Sequence, residues 1–336
     1  MFAVGYQPLF MGQLFCEMLE DYREQLSEVY FSIPGTPSGR PEPERTSDLM
    51  DQLGYELTEI RKLGLRLDLL LNGNCYGGRA VSKDFQHEIL VLLDRFDKAG
   101  LLPDIVTTTS PFVASVVKKA YPGMELRASV NMRIDSTLAM EYLSDLFDSF
   151  YIRRDLQRDL PTLACFSKWC HDNGKKLGLL ANSGCLRNCP YQTFHDNLVA
   201  HDAEVRQIEN LHDFMPHLCW KRLKKRENLV EFLRASWIRP EDIGLYKPYV
   251  DVIKLATRRH DSPRMVIAAY TSGTFNGNVL NLTEPCFSGR FAPWILDNSL
   301  LTAEDLPGKC ATNCSHCNKC EQVLKKALRK LDDSEY

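Results

Sequence analysis

Eight short, strongly apolar segments recur along this chain, most of them separated by stretches with helical spacing. They lie at Met1–Tyr6, Val29–Ile33, Leu65–Leu71, Asp104–Thr109, Glu125–Val130, Phe150–Arg153, Lys175–Ala181 and Asp251–Ala256. Runs this short and apolar read as strands buried on both faces, as in a parallel sheet covered by helices. Helices are expected between them at Leu9–Glu24, Thr46–Lys62, His87–Ala99, Pro111–Ala120, Ser136–Phe147 and Pro161–Asn173. Alternating strands and helices predict an α/β fold, and eight such units predict a closed (β/α)8 TIM-like barrel. An open, doubly wound sheet is the alternative, but it needs fewer strands and a reversal of strand order.

The chain has 336 residues, 44% of them hydrophobic, enough for one barrel and an appendage. The barrel is expected over 1–300, with an insertion at 185–248 between strands seven and eight, and a Cys-rich tail over 301–336. The net charge of −3 provides no global field for nucleic acid or an anionic membrane. The basic run Lys221–Arg226 reads as a solvated helix face, with local nucleic-acid contact as the sharper alternative. The start, MFAVGYQPLF, lacks a signal peptide's basic and apolar regions, and no apolar run reaches spanning length. A cytoplasmic protein is expected. Twelve cysteines in such a chain point to metal or redox chemistry rather than to disulfides.

Barrel geometry then brings remote residues together, because functional groups in this fold sit at the C-terminal strand ends. Cys75 follows strand three within Asn72–Gly78. Cys185 and Cys189 follow strand seven in the turn Asn182–Pro190, NSGCLRNCP. Two thiols on one turn, held by Gly and Pro, form a small claw for a metal. The insertion adds Cys219, flanked by His217 and Trp220, and could fold over the mouth to supply a further ligand. Cys75 is the expected fourth ligand, and Cys286 the alternative. Lys254 and Arg258 at the end of strand eight, and Arg153 at the end of strand six, are the candidate groups for an anionic part of a substrate. Each could equally be a member of a salt-bridge ring.

The tail carries a second constellation: Cys310, Cys314, Cys317 and Cys320 within eleven residues, with His316 among them. The spacing of Cys314, Cys317 and Cys320 matches the three-ligand run of bacterial ferredoxin loops, which favours iron–sulfur over zinc. Other features have plainer readings. Cys16 fits a helical core position. His87 begins a helix as a cap or surface residue, and His171 and His260 sit in polar loops. His195 is close enough to Cys189 to support a ligand from behind. The Pro/Gly-rich segment at 34–45 reads as a lid or a mobile loop.

Four stretches, NSGCLRNCP, SWIRPEDIGLY, VDVIKLATR and AAYTSGTFNGN, resemble the collagenase-like peptidase family U32, in the branch that ends in a Cys-rich tail. The likeness runs from about Leu65 onward. Lys254 and Arg258 match the family's Lys-Ile-Glu-Gly-Arg segment, while Ala256 and Thr257 replace its Glu and Gly. The family's His-Gly-Ala-x-Cys stretch is absent. The resemblance implies a barrel carrying a [4Fe–4S] cluster on four cysteines, with oxygen-independent hydroxylation of quinone precursors or RNA bases as its chemistry and peptidase as its historical label.

Three functions follow. One is an iron–sulfur modifying enzyme with one cluster at the mouth and a second, or zinc, in the tail. Another is a peptidase, although the chain offers neither Gly-x-Ser-x-Gly nor His-Glu-x-x-His, and its nearest Cys–His neighbours are Cys219 and His217. The third is a non-catalytic electron-transfer subunit. A redox partner or related subunit belongs to the first and third.

Overall fold

The structure, a computed structural model, describes residues 1–8, 12–306 and 317–331. Eight parallel strands close into a barrel in sequence order. They are β1 (Phe2–Gly5), β2 (Leu26–Phe31), β3 (Arg66–Leu71), β4 (Ile105–Thr108), β5 (Glu125–Ala128), β6 (Ser149–Tyr151), β7 (Lys176–Leu180) and β8 (Val252–Leu255). Closure comes from β1, which pairs with β2 through Val4↔Val29 and with β8 through Ala3↔Lys254. No strand of the ring is left with an open edge.

The outer helices are α1 (Phe15–Glu20), α2 (Ser47–Lys62), α3 (Lys83–Lys98), α4 (Pro111–Ala120), α5 (Thr137–Leu143), α6 (Leu160–Asp172) and, after β8, α11 (Pro263–Ser272). Short polar side chains start most of them. Thr46, Ser82, Ser110, Ser136 and Asp159 each accept a hydrogen bond from a backbone N–H three residues on. The Ser82 cap begins α3 four residues before the expected His87, which lies exposed within the helix. The first helix is also shorter than expected, although 9–11 lie outside the described residues. Cys16 is buried as a core residue, and its N–H donates to Glu56 at 3.0 Å.

Strand alternation divides the core into two layers. Val4, Phe31, Leu67, Leu69, Leu126 and Phe150 face outward into one large cluster with the helices. Ala3, Tyr30, Leu70, Tyr151 and Leu180 cluster within the barrel. Two glycines make room for the tyrosines. A Cβ on Gly5 would lie 2.6 Å from the Tyr30 ring, and one on Gly178 would lie 2.5 Å from that of Tyr151. The interior is also charged. Arg127 on β5 is gripped by both oxygens of Glu28 on β2, and donates to Glu125 at 2.9 Å and to Ser149 at 3.0 Å.

Between β7 and β8 the insertion carries the short helices α7 (Gln192–Ala200), α8 (Asp202–Val205), α9 (Leu218–Arg222) and α10 (Val230–Arg234). After α11 come α12 (Ser288–Phe291), β9 (Trp294–Leu296), α13 (Lys319–Ala327) and β10 (Leu328–Lys330). A second apolar core joins these parts. Leu223, Phe232 and Trp237 of the insertion pack with Leu280 and Phe287, and with Val323 and Ala327 of α13. β10 pairs antiparallel with β9, Leu328 opposite Leu296. Among the described residues, no helix is long and apolar enough to cross a membrane.

Candidate functional site

The end of β7 is latched to the end of β8 by Asn182, which is fully buried. Its Oδ1 accepts from the N–H of Ala256 at 2.6 Å, and its Nδ2 donates to the carbonyls of Ala256 and Leu282 at 3.0 and 2.9 Å. The next residues run parallel to a later segment through a Ser183↔Glu284 bridge. The N–H of Gly184 donates to the Glu284 carbonyl at 2.9 Å. A Cβ on Gly184 would lie 2.8 Å from the Pro285 carbonyl oxygen, so the two backbones approach as closely as glycine permits. Cys185 and Cys286 each stand two residues beyond the bridged pair, and both enter one cavity.

That cavity has a volume of about 320 Å³ and is lined by Cys185, Cys189, Cys219 and Cys286. Cys189 arrives on a turn in which Asn188 takes a positive φ of 53° and its N–H donates to Asp155 at 2.9 Å. Asparagine tolerates that left-handed conformation better than most residues. Cys219 comes from α9 in the insertion, as expected. Burial, and then the neighbouring Cys185 and Cys189 thiols, push the Cys219 thiol up to about 12. His217 does not activate it. That ring stacks on Trp220 with centroids 4.4 Å apart and meets His195 edge-on at 4.6 Å. Burial, then His217, lowers the His195 pKa to about 4.

A smaller cavity of about 50 Å³ lies at the barrel mouth, lined by Arg40, Arg154, Lys254, Arg258 and Glu284 among others. Arg40 and Glu284 also line the cysteine cavity and are ion-paired to each other, so the two spaces share a wall. Lys254 Nζ sits 3.6 Å above the Tyr30 ring. Burial draws its pKa down, and Asp68 opposes that shift. Arg258 pairs with Glu42 at 3.1 Å and donates to Ser38 at 3.0 Å, both on the loop after β2. That Pro/Gly-rich loop therefore lies over the mouth. The insertion is fastened there too, through Arg133–Asp196 at 2.9 Å and Arg206 to the Glu42 carbonyl at 3.1 Å.

The structure places two expected site residues elsewhere. Arg153 does not line the mouth cavity. It pairs with Asp155 at 2.8 Å and Asp135 at 3.6 Å, while the next residue, Arg154, turns inward and donates to Asn131. β6 ends at Tyr151, before the expected Arg153, and a single turn of 3-10 helix at Arg154–Leu156 follows it. Cys75 does not line the cysteine cavity. It lines a third cavity of about 220 Å³ with His201 and Glu204. β3 and β7 are four strands apart in a ring of eight, so their ends lie across the mouth from each other. In the tail, Cys310, Cys314 and His316 lie outside the described residues. Cys317 is half-buried, and Cys320, on α13, packs against the second core.

Arg40, Glu42, Arg154 and Glu284 escaped the sequence reading. Arg40 and Glu284 pair across 244 residues of chain, so no local pattern signals that contact.

No family model matches the chain. A relative named as the uncharacterized protease MJ1657 of Methanocaldococcus jannaschii is 27% identical over 323 residues, which covers 91% of this chain and 90% of that protein. The solved structure of the U32 peptidase Mk0906 superposes with a TM-score of 0.55 at 15% identity, covering 76% of this chain and 91% of that one. At that identity the likeness is one of fold.

Proposed function

We propose that this chain, a U32-peptidase-like barrel protein, is a redox modifying enzyme of the hydroxylase-like kind, holding an iron–sulfur cluster beside the barrel mouth and taking a small anionic aromatic substrate or an RNA base. One observation carries this reading. Four cysteines from three separate segments line one cavity, and that cavity shares Arg40 and Glu284 with a pocket lined by four cations.

The donor set fits such a cluster. Cys185, Cys189, Cys219 and Cys286 are all thiols, the ligand type that iron–sulfur clusters require. Among the described residues, no three His, Cys, Asp or Glu side chains converge closely enough to hold a single metal ion. A cluster binds each thiolate to a different iron and so spans a wider set than one ion does. His195 and Trp220 line the same cavity and would surround the group with a largely dry shell. When bound, the cluster would supply or accept single electrons.

The chain's own residues do the rest. Arg258 and Arg154 offer planar donor forks suited to carboxylate or phosphate, and Lys254 adds a point charge. Tyr30, packed beneath Lys254, fixes where that charge stands. The loop carrying Arg40 and Glu42 lies over the pocket, fastened to Arg258.

Anaerobic purification with iron and sulfide analysis tests the reading. It is best done in a variant lacking Cys310, Cys314, Cys317 and Cys320, so that any cluster in the tail is removed. That background should retain iron and an absorbance near roughly 400 nm. Cys185→Ser or Cys189→Ser should abolish both, and unchanged iron content would refute the assignment. The relatives' names support a hydrolytic reading instead, which predicts peptide cleavage by the iron-free chain.

A further inference from the structure

The cavity of about 220 Å³ on the other side of the mouth contains a group that the cluster reading does not use. Cys75 leaves β3 on a rigid loop. The Tyr76 hydroxyl donates to the Leu71 carbonyl at 2.7 Å, and Gly77 takes a positive φ of 60°. This turn brings the Gly77 N–H to 3.4 Å from Cys75 Sγ. His201, at the end of α7, lines the same cavity as the thiol. On the other side of the imidazole, Nδ1 lies 3.0 Å from a carboxylate oxygen of Glu204. The three side chains line the cavity together, opposite an apolar wall in which the Tyr76 and Phe85 rings lie 4.7 Å apart.

We propose that Cys75, His201 and Glu204 form a second reactive centre, a nucleophilic thiol site that accepts a small acyl group from an ester or thioester. A thiol nucleophile sharing a cavity with an imidazole, which a carboxylate in turn orients, is the set of groups that acyl transfer uses. Among the described residues, Cys75 is the one cysteine that lines this cavity. The volume suits a short acyl chain against Tyr76 and Phe85. The site does not depend on the cluster, which other cysteines would hold.

The other charged groups at the cavity are Arg79 and Glu88, and these neutralise each other as an ion pair. The His201 imidazole, followed by the Gly77 N–H, draws the Cys75 pKa down, and the Cys75 thiol and Glu204 carboxylate raise that of His201. Both shifts favour the thiolate–imidazolium pair. In the reaction, Sγ attacks the acyl carbonyl carbon, and an S–C bond forms as the bond to the leaving oxygen or sulfur breaks. His201 gives its proton to that leaving atom. In the second step, His201 takes a proton from water, the water oxygen bonds to the acyl carbon, and the thiolate leaves.

The test uses p-nitrophenyl acetate on the full chain, with quenched samples digested and mapped by mass. The acetyl group should appear on the Cys75 peptide faster than on the exposed Cys165. His201→Asn and His201→Gln should slow it by at least about tenfold. In both variants, and more weakly in Glu204→Gln, the midpoint of the rate–pH profile should rise toward that of an ordinary thiol. Circular dichroism and Tm establish that each variant is folded. Acetylation of Cys75 no faster than of Cys165, or the same rate and midpoint in both folded His201 variants, would overturn the proposal.

Discussion

Lys254 is the residue whose charge decides most at the mouth. Its pKa is drawn from 10.5 to about 8, by burial first and with Arg258 and Arg127 adding to the shift against Asp68. A lysine that titrates lower when folded weakens the fold below about pH 8, where both states are protonated. That penalty fades as pH rises from about 8 toward 10.5. Lys254→Met should therefore raise Tm at pH 7, and thermal scans should show the gain shrinking by pH 10. A lowered Tm at pH 7 would contradict this. An anionic substrate needs the ammonium, so its KM should rise as pH passes about 8. Arg127 behaves in the opposite way. Its removal by Arg127→Met leaves the buried Glu28 without its partner, while Glu125 keeps Arg66 and Lys176, and this should cost on the order of 3–5 kcal/mol in urea unfolding.

Among the elements, the loop from Ser32 to Thr46 is set most tightly. Glu42 accepts hydrogen bonds from Ser32 at 2.8 Å and Ser38 at 2.5 Å while it pairs with Arg258. It thus occupies the guanidinium that a substrate anion would use. Glu42→Gln should lower KM for an anionic substrate several-fold, as steady-state kinetics would show. Gly39 fits between two asparagines. Its N–H donates to Asn72 at 3.0 Å, and a Cβ there would lie 2.8 Å from Asn131 Nδ2. Gly39→Ala should loosen the loop, and limited proteolysis between residues 34 and 46 should then speed up. Proline and glycine made this loop legible in the sequence as a lid or a mobile segment. That it is a fitted lid was not legible, because the pairs holding it, Arg40–Glu284 and Arg258–Ser38, are 244 and 220 residues apart. The α3 start was missed for a smaller reason, a Ser82 cap preceding the first obvious apolar repeat.

For the whole molecule, the barrel was legible because eight buried strands have few other ways to pack, and each showed as an apolar run. Which strand ends face one another was less so. Strand-end logic put Cys75 on the correct rim of the ring, but a rim has two sides, and Cys75 stands away from the cysteine cavity. The Ser183↔Glu284 bridge and the Asn182–Leu282 hydrogen bond bring Cys286 there, and such long-range contacts leave no trace in composition. In the variant lacking the four tail cysteines, Cys286→Ser should lose most of the iron and Cys75→Ser should keep it, as metal analysis would show. The reverse result would return the fourth position to Cys75. The second apolar core carries a consequence for synthesis on the ribosome. The ring closes only when β8 meets β1, and the core beneath Cys189 and Cys219 is complete only once Val323 and Ala327 have emerged. A nascent chain would therefore expose its cysteines before it could shelter them, so any metallic cargo would be held securely only once α13 has docked.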